Sequence, residues 1–396
     1  MSLYDCIREM FYNDSREWNY YSCNMTFPFE ATEARIFIKE YFEQGAKRGV
    51  IFPVIDEINS MRSMHTVSAF FIGLLLKKSI GENLDIICSN SDDYEFSYLW
   101  FLVCLYHDMG YAIENDWTYK FTYRNQSKKY SNIRKCCWYR SSMYEDLGLV
   151  FVAPSLYNEV SFPKWSKDTD RRNDGITFRN GIRVKRATYT RKTIFNYLEY
   201  CKMNPQIKHY DHGIVGGFWL YDSLMKNYYE TYMREKEFDR DIDFENFQAN
   251  GNRHFSLEQR WIFAYLADCI ISHNIWPATK EKNEIYKEYD LNELVEPNFK
   301  KITFGNNPIL FILAIADTIE PIKLYSDVSG METIDIWRGI DMKFERGGMT
   351  IKLLDDRLKF SKAQTKIKDL ENWVDVHTIS GGKDSRKIEI TYNRLT

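Results

Sequence analysis

The 396-residue chain predicts a mainly α fold: a helical core, an inserted basic mixed segment and a small α/β unit at the C-terminal end. Three observations predict it. Apolar residues recur at helical spacing through long segments between residues 31 and 325. Residues 118–192 break that pattern and hold 17 Lys and Arg against 6 Asp and Glu, a local balance of +11, so the remainder carries −14 for an overall −3. From about Ile334 the apolar period shortens to two, as in MTIKLL, WVDVHTI and KIEITYN, with a helical DRLKFSKAQTKIKDLENW between the first two. The expected divisions are a helical lead-in over 1–54, a helical domain over 55–330 with its basic, Tyr-rich insertion at 118–195, and the α/β unit over 331–396.

Each element has its own signal. The opening MSLYDCIREMFYND carries acids and has no signal-peptide core. Ala31 to Gln44 and Val54 to Lys78 place apolar residues on one face, the latter through Ile58, Met61, His65 and Ala69. Phe96 to Tyr111 is almost wholly apolar and belongs at the centre. Within the insertion, LGLVFVAP reads as a short strand and NDGITFRNG as the turns of a hairpin. Gly213 to Tyr229 is opened by Asp211 as N-cap. Ser256 to Ser272 starts with SLEQ, a capping-box pattern, and Pro277 stops it. Pro308 to Tyr325 begins with proline in the first turn.

Bulk properties exclude several classes. Hydrophobic content of 44% and aromatic content of 16% describe a folded chain. No run reaches the roughly 18 apolar residues of a membrane span, so no membrane partner is expected. Eight cysteines without CxxC spacing fit reduced thiols and a cytoplasmic location better than a disulfide framework. GIVGG at 213–217 fits neither phosphate-loop spacing; its glycines are expected to permit close helix packing. Cys104 as a nucleophile is disfavoured, since a thiolate inside an apolar helix is costly.

The chemistry concentrates elsewhere. Of seven histidines, four stand with two aspartates in or at the ends of apolar helices: His65, His107 with Asp108, His212, His273 and Asp317. A buried His–Asp pair gains nothing for stability unless something compensates both groups. Mixed imidazole and carboxylate donors suit Mn, Fe, Ni, Co or Zn, with Mg less comfortable beside so many histidines. Glu57, Asp211, Asp268 or Glu320 are available as acceptors behind the imidazoles.

The order His, then His-Asp, then Asp, with "HDMG" and "AIAD" at two of those places, resembles the HD superfamily of metal-dependent phosphohydrolases. The likeness runs from about residue 55 to 330. It implies a helical HD-domain core in which His65, His107, Asp108 and Asp317 bind one metal, with His107 and Asp108 as the catalytic pair. His212 and His273 resemble the further histidines of the binuclear branch, which includes cyclic-nucleotide phosphodiesterases, so two divalent ions are implied. Two such cations bridge a hydroxide and lower its pKa towards neutrality. The implied reaction is hydrolysis of a nucleotide-type phosphate ester by that hydroxide, and a homo-oligomer is implied by analogy alone.

The sequence also departs from relatives with a GYP motif. The place of their lysine after HD-x-G is Tyr111, and SHN with NIWP stands where HHE and GYP would be. Arg62 and Tyr111 near the motif, and Lys185 and Arg186 in the basic segment, are the candidate substrate contacts. Glu114 and Asp116 are further polar neighbours. Two other readings stay open: a non-catalytic nucleotide-sensing or complex-building module, and a metal-dependent nuclease whose basic segment contacts a single strand. The segment also reads as a solvated insertion paired with the acidic remainder.

Overall fold

Asn59 accepts a hydrogen bond from the Arg62 amide at 2.9 Å and so starts the helix around which the core is built. The computed structural model describes residues 1–43, 55, 58–88, 93–111, 176–184, 211–217, 219–221, 224, 257–288, 301–382 and 385–392. The helices in these regions are α1 (Leu3–Asn13), α2 (Ala31–Glu43), α3 (Ser60–Ile80), α4 (Phe96–Tyr106), α5 (Leu257–Ile275), α6 (Lys280–Glu288), α7 (Pro308–Ile319), α8 (Pro321–Tyr325), α9 (Thr333–Arg338) and α10 (Phe360–Asp369). The fold is mainly α with a small C-terminal strand unit.

Helices α3, α4, α5 and α7 pack on one another, with α2 against α3. Every residue of α4 is buried, and α7 is buried from Pro308 to Ala316, so neither shows an amphipathic stripe. Phe70 and Phe101 stack at 4.1 Å between α3 and α4, and the Trp100 indole donates to the Phe70 carbonyl at 2.9 Å. A helical stretch at 212–217, resumed at 219–221, lies against the end of α4.

Two boundaries differ from the expected ones, for physical reasons. The apolar run from Phe96 ends as helix at Tyr106, and His107 to Gly110 form a turn, so the His–Asp pair sits at the helix end. The single helix expected over 308–325 is two. Pro321 lacks an N–H and forces the preceding residue extended, and Glu320 has φ −62° and ψ 117°. In the insertion, β1 (Ile176–Thr177) and β2 (Arg183–Val184) form the expected small hairpin around Asn180–Gly181. LGLVFVAP, Lys185, Arg186, Glu57, Glu114, Asp116 and most of the basic segment lie outside the described residues.

At the C-terminal end, β3 (Ile340–Glu345), β4 (Gly348–Leu353), β5 (Val376–Ser380) and β6 (Lys387–Tyr392) form an antiparallel sheet in the order β3-β4-β6-β5. The alternation in MTIKLL, WVDVHTI and KIEITYN is that of β4, β5 and β6. β3 is an added strand whose buried Ile340 and Met342 alternate with Asp341 and Lys343 in the same way. Helix α1 packs on β3 and α9, the Cys6 thiol donates to the Met342 carbonyl at 3.3 Å, and Trp337 Nε1 donates to Ser68 Oγ at 3.2 Å. Among the described residues, no helix is long and apolar enough to cross a membrane.

Candidate metal centre

Two helices and one turn deliver the cluster. His65 comes from the second turn of α3, Asp317 from the last turns of α7, and His107 and Asp108 from the turn after α4. The ligating atoms of these four side chains lie within 4.8 Å of one another. His65 Nε2 is 3.0 Å from His107 Nε2, 3.2 Å from Asp108 Oδ2 and 3.5 Å from Asp317 Oδ1. His107 Nε2 is 3.4 Å from the same Asp317 oxygen. The group is almost cut off from solvent, with His107 at 0% exposure and His65 at 4%.

What lies behind each imidazole fixes its tautomer. The His107 Nδ1–H donates to the Cys104 carbonyl at 2.8 Å, since a carbonyl can only accept. The His65 Nδ1–H donates to Glu320 Oε2 at 2.7 Å. The His273 Nδ1–H donates to the Ile270 carbonyl one turn back on α5. In the neutral rings every Nε2 is then a lone pair, and those of His65 and His107 face the cluster. Glu320 is itself held by the amides of Ile322 at 3.0 Å and Lys323 at 2.8 Å, so the break at Pro321 that ends α7 also builds this acceptor.

Two lone pairs 3.0 Å apart need a cation or a proton between them. Among the described residues, Asp108 Oδ1 and His273 Nε2 are buried without a hydrogen-bond partner. Orphaned donors of these two types, aligned imidazoles and two carboxylates fit a divalent transition metal. Burial opposes a charge on His65, yet Glu320, Asp108 and Asp317 together hold its pKa well above the ordinary value. Burial would raise both aspartates, but His107 and Lys323 hold Asp108 well below the carboxylate range, and Lys323 and the two imidazoles do so for Asp317.

His212 lies next to Asp108, and His273 lies next to His107 and His212. His212 Nε2 is 3.9 Å from Asp108 Oδ1, and the His273 ring lies 5.8 Å from His107 and 5.7 Å from His212. Burial pushes His212 down to about 4 and lowers His273 as well, so both are neutral donors at pH 7. Asp211 caps the helix start through the amides of Gly213 and Ile214, and it accepts from Tyr286 at 2.8 Å and Asn274 at 3.0 Å. This approach needs glycine: a Cβ on Gly216 would meet the Tyr106 carbonyl at 2.4 Å, and one on Gly110 the His212 carbonyl at 2.0 Å. Gly216 and its neighbours thus pack helices closely, as expected of GIVGG.

Of the candidate substrate contacts, Arg62 donates to the Asp108 carbonyl at 3.0 Å and its guanidinium lies 4.6 Å over the Tyr111 ring. Tyr111 stacks on His212 with ring centres 3.8 Å apart. Both therefore touch residues of the cluster and its neighbours. Cys104 is buried, and burial followed by the nearby Asp317 raises its thiol well above the usual range, in line with an inert core residue. Lys323 was not singled out by the sequence. Its Nζ contacts both Asp317 oxygens, at 2.7 and 2.9 Å. Family models, curated proteins and solved structures contain no match to this chain.

Proposed function

We propose that this chain is an HD-type metal-dependent phosphohydrolase acting on a nucleotide-type phosphate ester. The observation that carries the reading is the buried His65–His107–Asp108–Asp317 cluster, whose donors converge within 4.8 Å. These four residues would hold one divalent transition metal, and His212 and His273 with Asp108 would hold a second. When bound, such ions polarise phosphoryl oxygens and make water acidic enough to attack at neutral pH.

The chain's own residues supply the rest. Glu320 and the Cys104 carbonyl keep the Nε2 atoms of His65 and His107 turned towards the cluster. The Arg62 contact to the Asp108 carbonyl and the Tyr111–His212 stack support the turn that carries Asp108 and the start of the His212 helix. The surrounding apolar residues of α4 and α7 exclude bulk water, which strengthens each electrostatic contact inside.

The test is elemental analysis of protein purified without chelator, beside Asp108→Ala, followed by nucleotide esters with added Mn²⁺. About two metals per chain in the wild type, lost together with hydrolysis in the variant, support the reading. Hydrolysis that survives Asp108→Ala sinks it. A non-catalytic module is the second reading, favoured by one observation: Lys323 satisfies both oxygens of Asp317 with no metal needed. It predicts no metal uptake even after Mn²⁺ or Fe²⁺ is supplied.

A further inference from the structure

We propose that Lys323 receives the anionic phosphate group of the substrate beside the metal cluster; this rests on the hydrolase reading above. Geometry places Lys323 between the cluster and solvent. Asp317 Oδ1 faces His65 and His107 at 3.5 and 3.4 Å, while the Lys323 ammonium approaches the same carboxylate at 2.7 and 2.9 Å. The Lys323 side chain is 38% exposed, against 5% for His65 and 0% for His107 behind it. An ammonium has three N–H donors, and the contact with Asp317 leaves at least one for an oxyanion arriving from the solvent side.

Lys323 carries a primary amine whose ordinary pKa of about 10.4 makes it an ammonium at neutral pH, the charge state that an oxyanion needs from its receiver.

Calorimetric titration of the full chain tests this, using Mn²⁺ first and then inorganic phosphate on the Mn²⁺-loaded protein. Wild type, Lys323→Met and Lys323→Arg are compared, with circular dichroism to establish that each is folded. Lys323→Met should take up Mn²⁺ at least as tightly as wild type, since a competing cation has left Asp317. Its phosphate affinity should fall about tenfold or more, the usual worth of a charge-assisted hydrogen bond, and Lys323→Arg should restore most of it. If Lys323→Met keeps both Mn²⁺ and wild-type phosphate affinity, the role of Lys323 falls and the hydrolase reading stands. If Lys323→Met loses Mn²⁺, the residue positions Asp317 and does not receive an anion. A wild type that takes up no Mn²⁺ overturns the underlying reading.

Discussion

Glu320 is fully buried, and it accepts from His65 and from two amides at the start of α8. Replacing it with alanine removes a helix cap and a charge-assisted hydrogen bond. The expected loss is about 2–4 kcal/mol of stability by chemical denaturation. Metal affinity should fall about 10–100-fold as the His65 ring loses its support. The imidazoles also set a pH dependence for the metal-free protein. The raised pKa of His65 gives a contribution fully present below its unfolded value of 6.5, lost as pH rises through the folded value. His212 works the other way: between pH 6.5 and about 4 the unfolded chain takes up a proton that the folded chain refuses, so stability falls on acidification. These groups place the metal-free melting temperature at a maximum near pH 6.5. Saturating Mn²⁺, which displaces the His65 proton, should abolish the decline on the alkaline side. A scan of melting temperature against pH with and without Mn²⁺ checks both limbs. At this scale the four-residue cluster was legible because each member is a polar residue interrupting an apolar run. Lys323 was not legible. It lies beyond the break at Pro321, where helical spacing from Asp317 no longer says which residues meet.

Helix-to-helix distance decides how the second pair of histidines reaches the first cluster. Gly216 sits against the Tyr106 carbonyl and Gly110 against the His212 carbonyl, both backbone atoms that a side chain cannot push aside. Gly216→Ala should therefore cost about 1–3 kcal/mol, the usual toll of overpacking. If His212 and His273 hold a second metal, the same change should lower Mn²⁺ stoichiometry from about two towards one; unchanged stoichiometry would assign the glycine to packing alone. Elements with strong periodicity or a clear stop were readable in the sequence. Ala31–Glu43, the α5 span up to Pro277 and three of the four sheet strands were expected within a few residues. The ends of α4 and α7 were misjudged because an apolar run continues past the point where backbone geometry, a turn in one case and a proline in the other, ends the helix.

Seen whole, the C-terminal sheet is tied to both ends of the helical core. Helix α1 lies on β3, Trp337 bonds to α3 through Ser68, and the Tyr392 hydroxyl meets Ser79 at the end of α3. Leu3, Ile7 and Met10 of α1 are buried at 1% or less, and part of their cover is this sheet. Trp337→Ala should thus lower stability by about 3–5 kcal/mol, as for other large core truncations, with denaturant titration as the check. The sheet's presence was visible in the period-two pattern, but its attachment to α1 was not. Contacts between residues more than 300 positions apart leave no trace in local spacing.

The wide spacing of the cluster along the chain has a consequence for how the molecule is made. His65 and its support Glu320 are 255 positions apart, so during synthesis His65, His107 and Asp108 wait until the segment that carries Asp317 and Glu320 has emerged. A ribosome-released fragment ending at residue 300 would carry His65, His107 and Asp108 without Asp317 or the Glu320 brace. Such a fragment should retain no Mn²⁺ through gel filtration. On the reading proposed above, metal acquisition would then follow emergence of the segment that carries Asp317 and Glu320.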